Sequence, residues 1–343
     1  MRAVIWTALR GKMFEGYRIV CVTPAGRRRY MKLLVPQILA SGLVDRYDLW
    51  VNTDDAGDRA FMKALTRLDE RVRVVPQPRG EKPSWSAIRA FFPGALDEDT
   101  IYIRLDDDVV WLEPGFFEIL LRFRIANPRY FLVMPLIVNN AVCTNLLQTC
   151  GKVAPSRYVG ATCMDRVGWH EPGFAVRLHR FFLDLVARDE THRLHCGPRE
   201  IALNRFSINA ICWFGRDMAA IGGEVRPGEE EDLSNVIPTR LGRPNCFCTD
   251  TIAAHFAFYV QRRALDKTDL LQEYAQVLSQ RAELKPLLLK TTAIADEIDA
   301  REPPPVEQPF AAKPSWRAAW RKLVPRKRKK QQVPTLLEPG PLL

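Results

Sequence analysis

Three consecutive aspartates, Asp106, Asp107 and Asp108, lie between two hydrophobic segments of the chain. Residues 101–105 alternate apolar and polar side chains, as a β-strand does, and residues 109–112 are apolar throughout. Because residues two apart on a strand point the same way, Asp106 and Asp108 are expected to face one site. Buried carboxylates are costly unless they are paired or bind a cation, so the pattern predicts a Mg²⁺ or Mn²⁺ site. The alternative is an acidic turn between two strands.

The positive charge of the chain is concentrated near its C-terminal end. The net charge is +10, and residues 313–330 contain nine basic side chains and no acidic one. The remainder is therefore near neutrality and has no strongly basic surface for nucleic acid, so we expect no nucleic-acid partner. With 343 residues, 47% of them hydrophobic, the chain has ample material for one large domain.

The cysteines and the apolar segments favour a cytoplasmic location. Eight cysteines are scattered along the chain without a C-x-x-C pair, so neither a disulfide framework nor a zinc site is predicted. No apolar run approaches the ~20 residues of a membrane-spanning helix. The apolar run at 3–9 is short for a signal peptide and lacks a small-residue cleavage site.

Strands and helices alternate in the first half of the chain. This order predicts an α/β fold with a mostly parallel central sheet flanked by helices, in which ligands bind at the carboxyl ends of the strands. A smaller mixed part follows. The predicted strands are 17–23, 47–53, 71–75, 101–105, 130–138, 206–214 and 245–260, and the predicted helices are 30–41, 58–68, 84–92, 116–125, 176–187 and 264–298.

An ordered set of motifs resembles the nucleotide-sugar-dependent glycosyltransferases of the GT-A fold. The set comprises a hydrophobic strand, an Asp-x-Asp motif at 106–108, an acidic cluster at 228–233 and a late strand that carries His255. The resemblance spans 17–263. It implies a single GT-A-type, Rossmann-like domain over 1–300, with its nucleotide-sugar half at about 17–140, its acceptor half at about 141–263 and a helical extension at 264–300.

The resemblance implies a metal-dependent, inverting transfer of a sugar from a nucleotide-diphosphate sugar to a glycan or lipid-linked acceptor. Mn²⁺ or Mg²⁺ held by Asp106, Asp108 and His255 would stabilise the departing diphosphate. Asp107 is expected to contact the ribose or the sugar, and Asp106 lies beside it at the nucleotide. For His255 the alternative is a core histidine, because aromatic residues surround it in the sequence.

Inverting transfer also requires a carboxylate that deprotonates the acceptor hydroxyl. The acidic cluster supplies three candidates, Asp232 first, then Glu231 and Glu230. Gly228 before them indicates a helix N-terminus, where the helix dipole favours ionised acids. The alternative is that these acids only cap a surface helix.

Further residues at strand ends are predicted to bind the nucleotide. In the loop predicted after the first strand, a glycine permits close backbone approach and an arginine can reach phosphate. The loop residues are Thr23, Pro24, Ala25, Gly26 and Arg27, and the candidates elsewhere are Asp54, Asp55, Arg89 and Arg262. For the charged residues, the alternative is a solvated surface position.

Residues 301–343 are predicted to form a proline-rich linker and a basic amphipathic tail. Trp316, Trp320 and Leu323 would share one helical face, with basic residues beside it. Such a segment, 313–330, predicts binding to an anionic membrane surface on the cytoplasmic side, and therefore a peripheral location on the inner face of the membrane. The alternative is a disordered basic tail.

Two other functions compete with glycosyl transfer. A sugar-nucleotide-forming nucleotidyltransferase also places acids and a metal beside a diphosphate, but it usually has a glycine-rich N-terminal loop, and residues 23–29 contain one glycine. A non-catalytic protein that binds membrane or nucleic acid through its tail would leave the near-neutral body without a role.

Overall fold

A mixed β-sheet forms the centre of the part of the chain that the structure, a computed structural model, describes: residues 13–154, 156–201 and 204–302. Nine strands of this part form the sheet in the order β3-β2-β1-β4-β8-β6-β9-β5, with β7 beside β9. The strands are β1 (Arg18–Ala25), β2 (Arg46–Val51), β3 (Val72–Val75), β4 (Thr100–Leu105), β5 (Val109–Leu112), β6 (Val133–Val138), β7 (Pro198–Ile201), β8 (Ala210–Phe214) and β9 (Asn245–His255).

Helices flank the sheet and connect its strands. α1 packs on β5 and on the last helix, and α3 packs on β6 and β9. The helices are α1 (Arg28–Leu39), α2 (Ala56–Leu68), α3 (Phe116–Ala126), α4 (Ala141–Thr149), α5 (Pro172–Ala187), α6 (Gly215–Ala219), α7 (Glu229–Glu231), α8 (Ile237–Leu241), α9 (Tyr259–Leu265), α10 (Leu270–Ser279) and α11 (Lys285–Arg301). A π-helical turn, Asp232–Val236, joins α7 to α8, and short 3₁₀ helices cover Ala87–Gly94 and Thr191–Leu194.

The predicted α/β fold class is confirmed. Strands β3, β2, β1 and β4 run parallel to one another. Beyond β4 the sheet becomes mixed, because β8 is antiparallel to both β4 and β6. The predicted mixed C-terminal part therefore continues the same sheet. Every residue of β4, β5, β6 and β8 is buried, as expected for strands covered by helices.

Several predicted boundaries differ from the structure, and the helix predicted for 264–298 is divided among α9, α10 and α11. β1 continues through Pro24 to Ala25, because its ladder with β4 ends at Val22 and the missing N–H of Pro24 costs no hydrogen bond on that side. The late strand β9 ends at His255, and α9 begins at Tyr259, so the strand predicted for 245–260 is partly helix.

The last described helix is attached to the start of the first one through a buried arginine. Arg28 Nε donates to Asp299 Oδ1 of α11 at 2.6 Å, and Arg28 Nη2 donates to the carbonyl of Glu302 at 2.6 Å. Its Nη1 donates to Asp55 and Asp58 at the start of α2. This network joins three helix ends beside the carboxyl end of β1.

The described residues belong to one compact unit. In these residues, no helix combines the length and the apolar character needed to cross a bilayer. The tail predicted to bind membranes, 313–330, and most of the predicted linker lie outside the described residues.

Candidate active site

The aspartate triplet lies at the carboxyl end of β4, where two antiparallel pairings fix its surroundings. On one side, the backbone N–H of Asp106 donates to the carbonyl of Asn209, the residue before β8, at 2.9 Å. On the other side, the N–H of Phe256 donates to the carbonyl of Asp108 at 2.8 Å, and Val109 pairs with His255. The sheet therefore brings Asn209 and His255 to the triplet from opposite sides.

Asp107 attaches the triplet to the loop after β1. Its Oδ2 accepts from the N–H of Gly26 at 2.9 Å, and its Oδ1 accepts from Nε of Arg27 at 2.8 Å. The carboxylate is buried, and both oxygens are used. A Cβ at Gly26 would lie 3.0 Å from the carbonyl of Asn52, so this close approach favours glycine. Asp107 thus holds the loop, and both of its oxygens are engaged by protein groups, so the ribose or sugar contact expected from the sequence stays a prediction.

Asp108 is surrounded by cationic side chains. Its Oδ2 lies 2.8 Å from Nη1 of Arg27 and 3.2 Å from Nη2 of Arg262. Its Oδ1 makes no hydrogen bond among the described residues and lies 3.5 Å from Nε2 of His255. Burial raises the pKa of Asp108, but the positive charges around it, that of Arg27 first, outweigh burial and hold that pKa well below its usual range. Asp108 is therefore a buried carboxylate that stays ionised.

His255 is oriented by a backbone contact to its other nitrogen. Nδ1 lies 3.3 Å from the carbonyl oxygen of Asn139, a buried residue with a φ of +60°. A neutral ring that donates from Nδ1 has its lone pair on Nε2, and this lone pair then faces Oδ1 of Asp108. Two electron-rich atoms facing each other at this distance repel, and a cation between them would satisfy both.

Asp106 shares a buried arginine with a second carboxylate. Oδ1 of Asp106 accepts from Nη2 of Arg104 at 2.8 Å, and Oε1 of Glu229 accepts from Nη1 of the same guanidinium at 3.3 Å. Oε2 of Glu229 makes no hydrogen bond among the described residues. Burial raises the pKa of Glu229 to about 7, against the opposing charge of Arg104. Burial likewise raises the pKa of Asp106, although Arg104 opposes it.

The three acids predicted as catalytic bases each accept hydrogen bonds from other side chains of the protein. Asp232 is buried, and its carboxylate accepts from the backbone N–H and the guanidinium of Arg226 at 2.6–2.8 Å. Glu230 pairs with Arg205, and Glu231 accepts from the side chain of Asn235 at 2.7 Å. The expectation that Asp232 supplies the base does not agree with these contacts, because both of its oxygens are engaged by Arg226.

Several predicted nucleotide-binding residues are not at the triplet. Thr23, Pro24 and Ala25 are buried residues of β1, and the hydroxyl of Thr23 accepts from Tyr47 at 3.0 Å. The loop was predicted to begin at Thr23. In the structure these three residues belong to β1, and the loop consists of Gly26 and Arg27. The remaining three occupy other elements: Asp54 pairs with Arg59 on the surface, Asp55 is the N-cap of α2, and Arg89 lies in the 3₁₀ helix near Glu81.

Two functional candidates, Arg104 and Glu229, were missed from the sequence. Arg104 alternates with the apolar residues of its strand, so its side chain was expected on the opposite face of the sheet from theirs. No neighbouring residue in the sequence indicated that this side chain is buried. Glu229 is the first acid of the cluster, and its neighbours in sequence are equally acidic. Only the pairing of β4 with β8 and the position of α7 reveal their contact.

The proposed metal ligands form no complete coordination shell. Within residues 13–154, 156–201 and 204–302, no group of three or more His, Cys, Asp and Glu side chains is arranged to hold a metal ion. The donors that face each other are Asp108 Oδ1 and His255 Nε2, an oxygen and an imidazole nitrogen, which suit Mn²⁺.

Comparisons with known proteins concern the fold. No family model matches the sequence, and no curated protein matches it. Among solved structures, the chain is similar to a mannosyltransferase from Pyrobaculum calidifontis in complex with GDP-Man and Mn²⁺, with 12% identity and a TM-score of 0.44 over 88% of this chain and 80% of that chain.

Two further solved structures have comparable similarity. A glucosyl-3-phosphoglycerate synthase from Mycobacterium tuberculosis, in complex with Mn²⁺, UDP and phosphoglyceric acid, is 16% identical, with a TM-score of 0.43 over 78% of each chain. A CMP:2-keto-3-deoxy-manno-octonic acid synthetase complexed with CTP is 12% identical, with a TM-score of 0.40 over 76% of this chain and 98% of that chain. At these values the similarities carry no conclusion about the reaction.

Proposed function

We propose that this protein is a metal-dependent glycosyltransferase that moves a sugar, with inversion, from a nucleoside-diphosphate sugar to a glycan or lipid-linked acceptor. The observation that carries the proposal is the pair Asp108 Oδ1 and His255 Nε2, which face each other at 3.5 Å at the carboxyl end of β4. Carboxyl ends of parallel strands are where α/β sheets bind ligands.

A divalent cation would be held by Asp108 and His255, with Asp106 beside them. When bound, such a cation neutralises negative charge on a leaving diphosphate. The carbonyl of Asn139 orients the ring of His255 for this role, and the two arginines keep Asp108 ionised. Two or three protein ligands suffice, because substrate phosphates complete the coordination of such ions.

Arg27 and Arg262 would bind the diphosphate. Both reach Oδ2 of Asp108, and their side chains are 26% and 14% exposed. Guanidinium groups at this edge can exchange a carboxylate partner for phosphate oxygens, which they bind in the same planar geometry. Their position beside Asp108 places positive charge where a diphosphate would develop negative charge.

Glu229 would accept the proton of the acceptor hydroxyl. A general base works best when its pKa lies near the working pH, and burial raises the pKa of Glu229 to about 7. Arg104 would orient Glu229 and Asp106 together, because one guanidinium contacts both. This assignment replaces Asp232, Glu231 and Glu230.

Calorimetry with UDP and GDP, each with and without Mn²⁺, tests the proposal. We expect binding of a nucleoside diphosphate that requires the metal, and release of free nucleotide when the matching nucleotide-sugar is supplied. Binding of a nucleoside triphosphate together with a sugar phosphate would instead identify a nucleotidyltransferase. Nucleotide binding that is indifferent to metal would contradict the proposed site.

We also propose that the tail brings the enzyme to an anionic membrane surface on the cytoplasmic side. The support is the sequence of 313–330, with its tryptophans and nine basic side chains. A lipid-linked acceptor would then be concentrated near the active site.

A further inference from the structure

One residue, Phe256, joins the backbones of the two donors that face each other at the candidate metal site. Phe256 directly follows His255 in the sequence, and its N–H donates to the carbonyl of Asp108 at 2.8 Å. Phe256 is fully buried. The position of its backbone therefore determines where Nε2 of His255 lies relative to Oδ1 of Asp108.

Two side chains donate hydrogen bonds to the carbonyl of Phe256. Nδ2 of Asn139 lies 2.9 Å from this oxygen, and Nε2 of His179, on α5, lies 2.8 Å from it. A carbonyl oxygen has two lone pairs, so the two donors use both of them. Asn139 and His179 are fully buried, so bulk water cannot take the place of either donor.

Asn139 contacts both Phe256 and His255. Its φ of +60° lies in the left-handed region, which is uncommon for residues other than glycine. In this conformation its carbonyl oxygen lies 3.3 Å from Nδ1 of His255. Its side-chain amide donates to Phe256 and also to Oε1 of Gln261, at 3.0 Å. Residues in such sparsely populated conformations persist where surrounding contacts hold them, and they cluster at functional sites.

His179 is held in turn by a helix near the C-terminal end of the described residues. A carbonyl only accepts, so Nε2 of His179 carries the proton, and Nδ1 accepts from the hydroxyl of Tyr274 at 2.7 Å. Tyr274 lies on α10 and is fully buried. A chain of hydrogen bonds thus runs from α10 through α5 to the backbone that follows His255.

We propose that Asn139 and His179 are positioning residues for the metal site, and that Tyr274 holds His179 in place. This inference rests on the proposed function, because the metal ligands that they position are Asp108 and His255. The positioning contacts contain no carboxylate, guanidinium or ammonium group, so they fix geometry without adding charge. Loss of such partners behind a metal ligand typically weakens metal binding 10- to 100-fold.

Titration of the full-length protein with Mn²⁺ alone tests the inference, with the electron paramagnetic resonance signal of free Mn²⁺ as the readout. Asn139→Gly keeps the left-handed backbone and the carbonyl that faces His255, and it removes only the side-chain donor. We expect the dissociation constant for Mn²⁺ to rise about tenfold in this variant. His179→Leu, which removes the other donor, should have an effect of similar size.

Conservative variants separate positioning from a general loss of stability. The amide of His179→Gln can still donate to the carbonyl of Phe256, so we expect an affinity for Mn²⁺ within about threefold of the wild type. Tyr274→Phe removes only a hydroxyl and should weaken Mn²⁺ binding about threefold. Thr291→Val is the matched control, because it removes the hydrogen bond of a buried hydroxyl on α11 to the carbonyl of Lys32. It should bind Mn²⁺ as the wild type does.

The results distinguish a failure of this inference from a failure of the proposed function. If the wild type binds Mn²⁺ and both Asn139→Gly and His179→Leu bind it equally well, the inference is overturned and the proposed function stands. If the wild type binds no Mn²⁺, both are overturned. Weak binding in His179→Leu that is not restored in His179→Gln overturns the role of His179, and unchanged binding in Tyr274→Phe overturns that of Tyr274. Thermal unfolding without metal confirms that each variant is folded.

Discussion

Oε1 of Glu229 lies 3.3 Å from Nη1 of Arg104, and both side chains are buried. The guanidinium satisfies one oxygen of the carboxylate and leaves the second without a hydrogen bond among the described residues. A buried carboxylate with one open oxygen beside an aspartate cluster has the chemistry of a proton acceptor.

Glu229→Gln should abolish most of the transfer reaction while leaving donor binding intact. The amide keeps an oxygen for Arg104 but cannot accept a proton, so we expect kcat to fall about 100- to 10,000-fold. Transfer rates with the donor identified by calorimetry provide the measurement. Glu231→Gln, at an exposed acid of the same helix, is the matched control. Equal activity of the two variants would remove Glu229 from the mechanism.

The pH dependence of kcat should report Glu229 in the wild-type enzyme. Its pKa is raised to about 7, so the ionised base is present above this pH and is lost as pH falls through it. We expect activity to decline tenfold for each pH unit below about 6.5. Rates measured between pH 5 and 9 check this expectation. A profile that is flat across this range would assign the proton transfer to another group.

Removal of His255 should weaken metal-dependent nucleotide binding. His255→Ala deletes the nitrogen that faces Oδ1 of Asp108, and we expect the Mn²⁺ requirement to shift to concentrations about 10- to 100-fold higher. Titration of nucleoside diphosphate binding against Mn²⁺ gives the value. His192→Ala changes an exposed histidine outside the site and should leave the titration unchanged.

The buried arginine that joins α11 to α1 predicts a stability difference between two neighbouring aspartates. Asp299→Asn removes a charged partner of Arg28 and should lower the free energy of unfolding by about 1–2 kcal/mol. Asp296→Asn removes only the exposed ion pair with Lys32 and should cost about 0.5 kcal/mol or less. Urea unfolding of both variants makes the comparison, and equal losses would contradict the structural role of Arg28.

Protonation of His179 should destabilise the fold in mild acid. The ring is buried between the hydroxyl of Tyr274 and the carbonyl of Phe256, and burial lowers its pKa to about 4. Because the unfolded chain binds the proton more tightly, stability is complete above about pH 6.5 and falls by about 3 kcal/mol towards pH 4. His179→Gln should lose this part of the pH dependence of urea unfolding. His170→Gln, at an exposed ring, should follow the wild type.

Sequence reasoning identified the parts of the fold that local pattern determines. The alternation before Asp106 and the acids at 106–108 marked a strand end, and the structure places that end beside His255. The sequence patterns did not identify contacts between residues that are far apart along the chain. Arg27 and Asp107 are 80 residues apart, and their ion pair exists because β1 and β4 are adjacent in the sheet.

The acidic cluster shows why the sequence could not rank the candidate bases. Four consecutive acids, Glu229 to Asp232, gave no local reason to prefer one of them. The direction of each acidic side chain depends on the backbone, because the short helix α7 continues into a π-helical turn. In this geometry Asp232 contacts Arg226, and Glu229 contacts Arg104. Helical geometry of this kind arises from tertiary packing and leaves no periodic signal in the sequence.

The contact of Arg28 with the carbonyl of Glu302 limits how far the protein can be shortened. A version that stops before α11 would remove two acceptors of the Arg28 guanidinium, Asp299 and the carbonyl of Glu302, and leave it with Asp55 and Asp58. Trimming for crystallisation or for fusion to another protein should therefore keep every residue through Glu302.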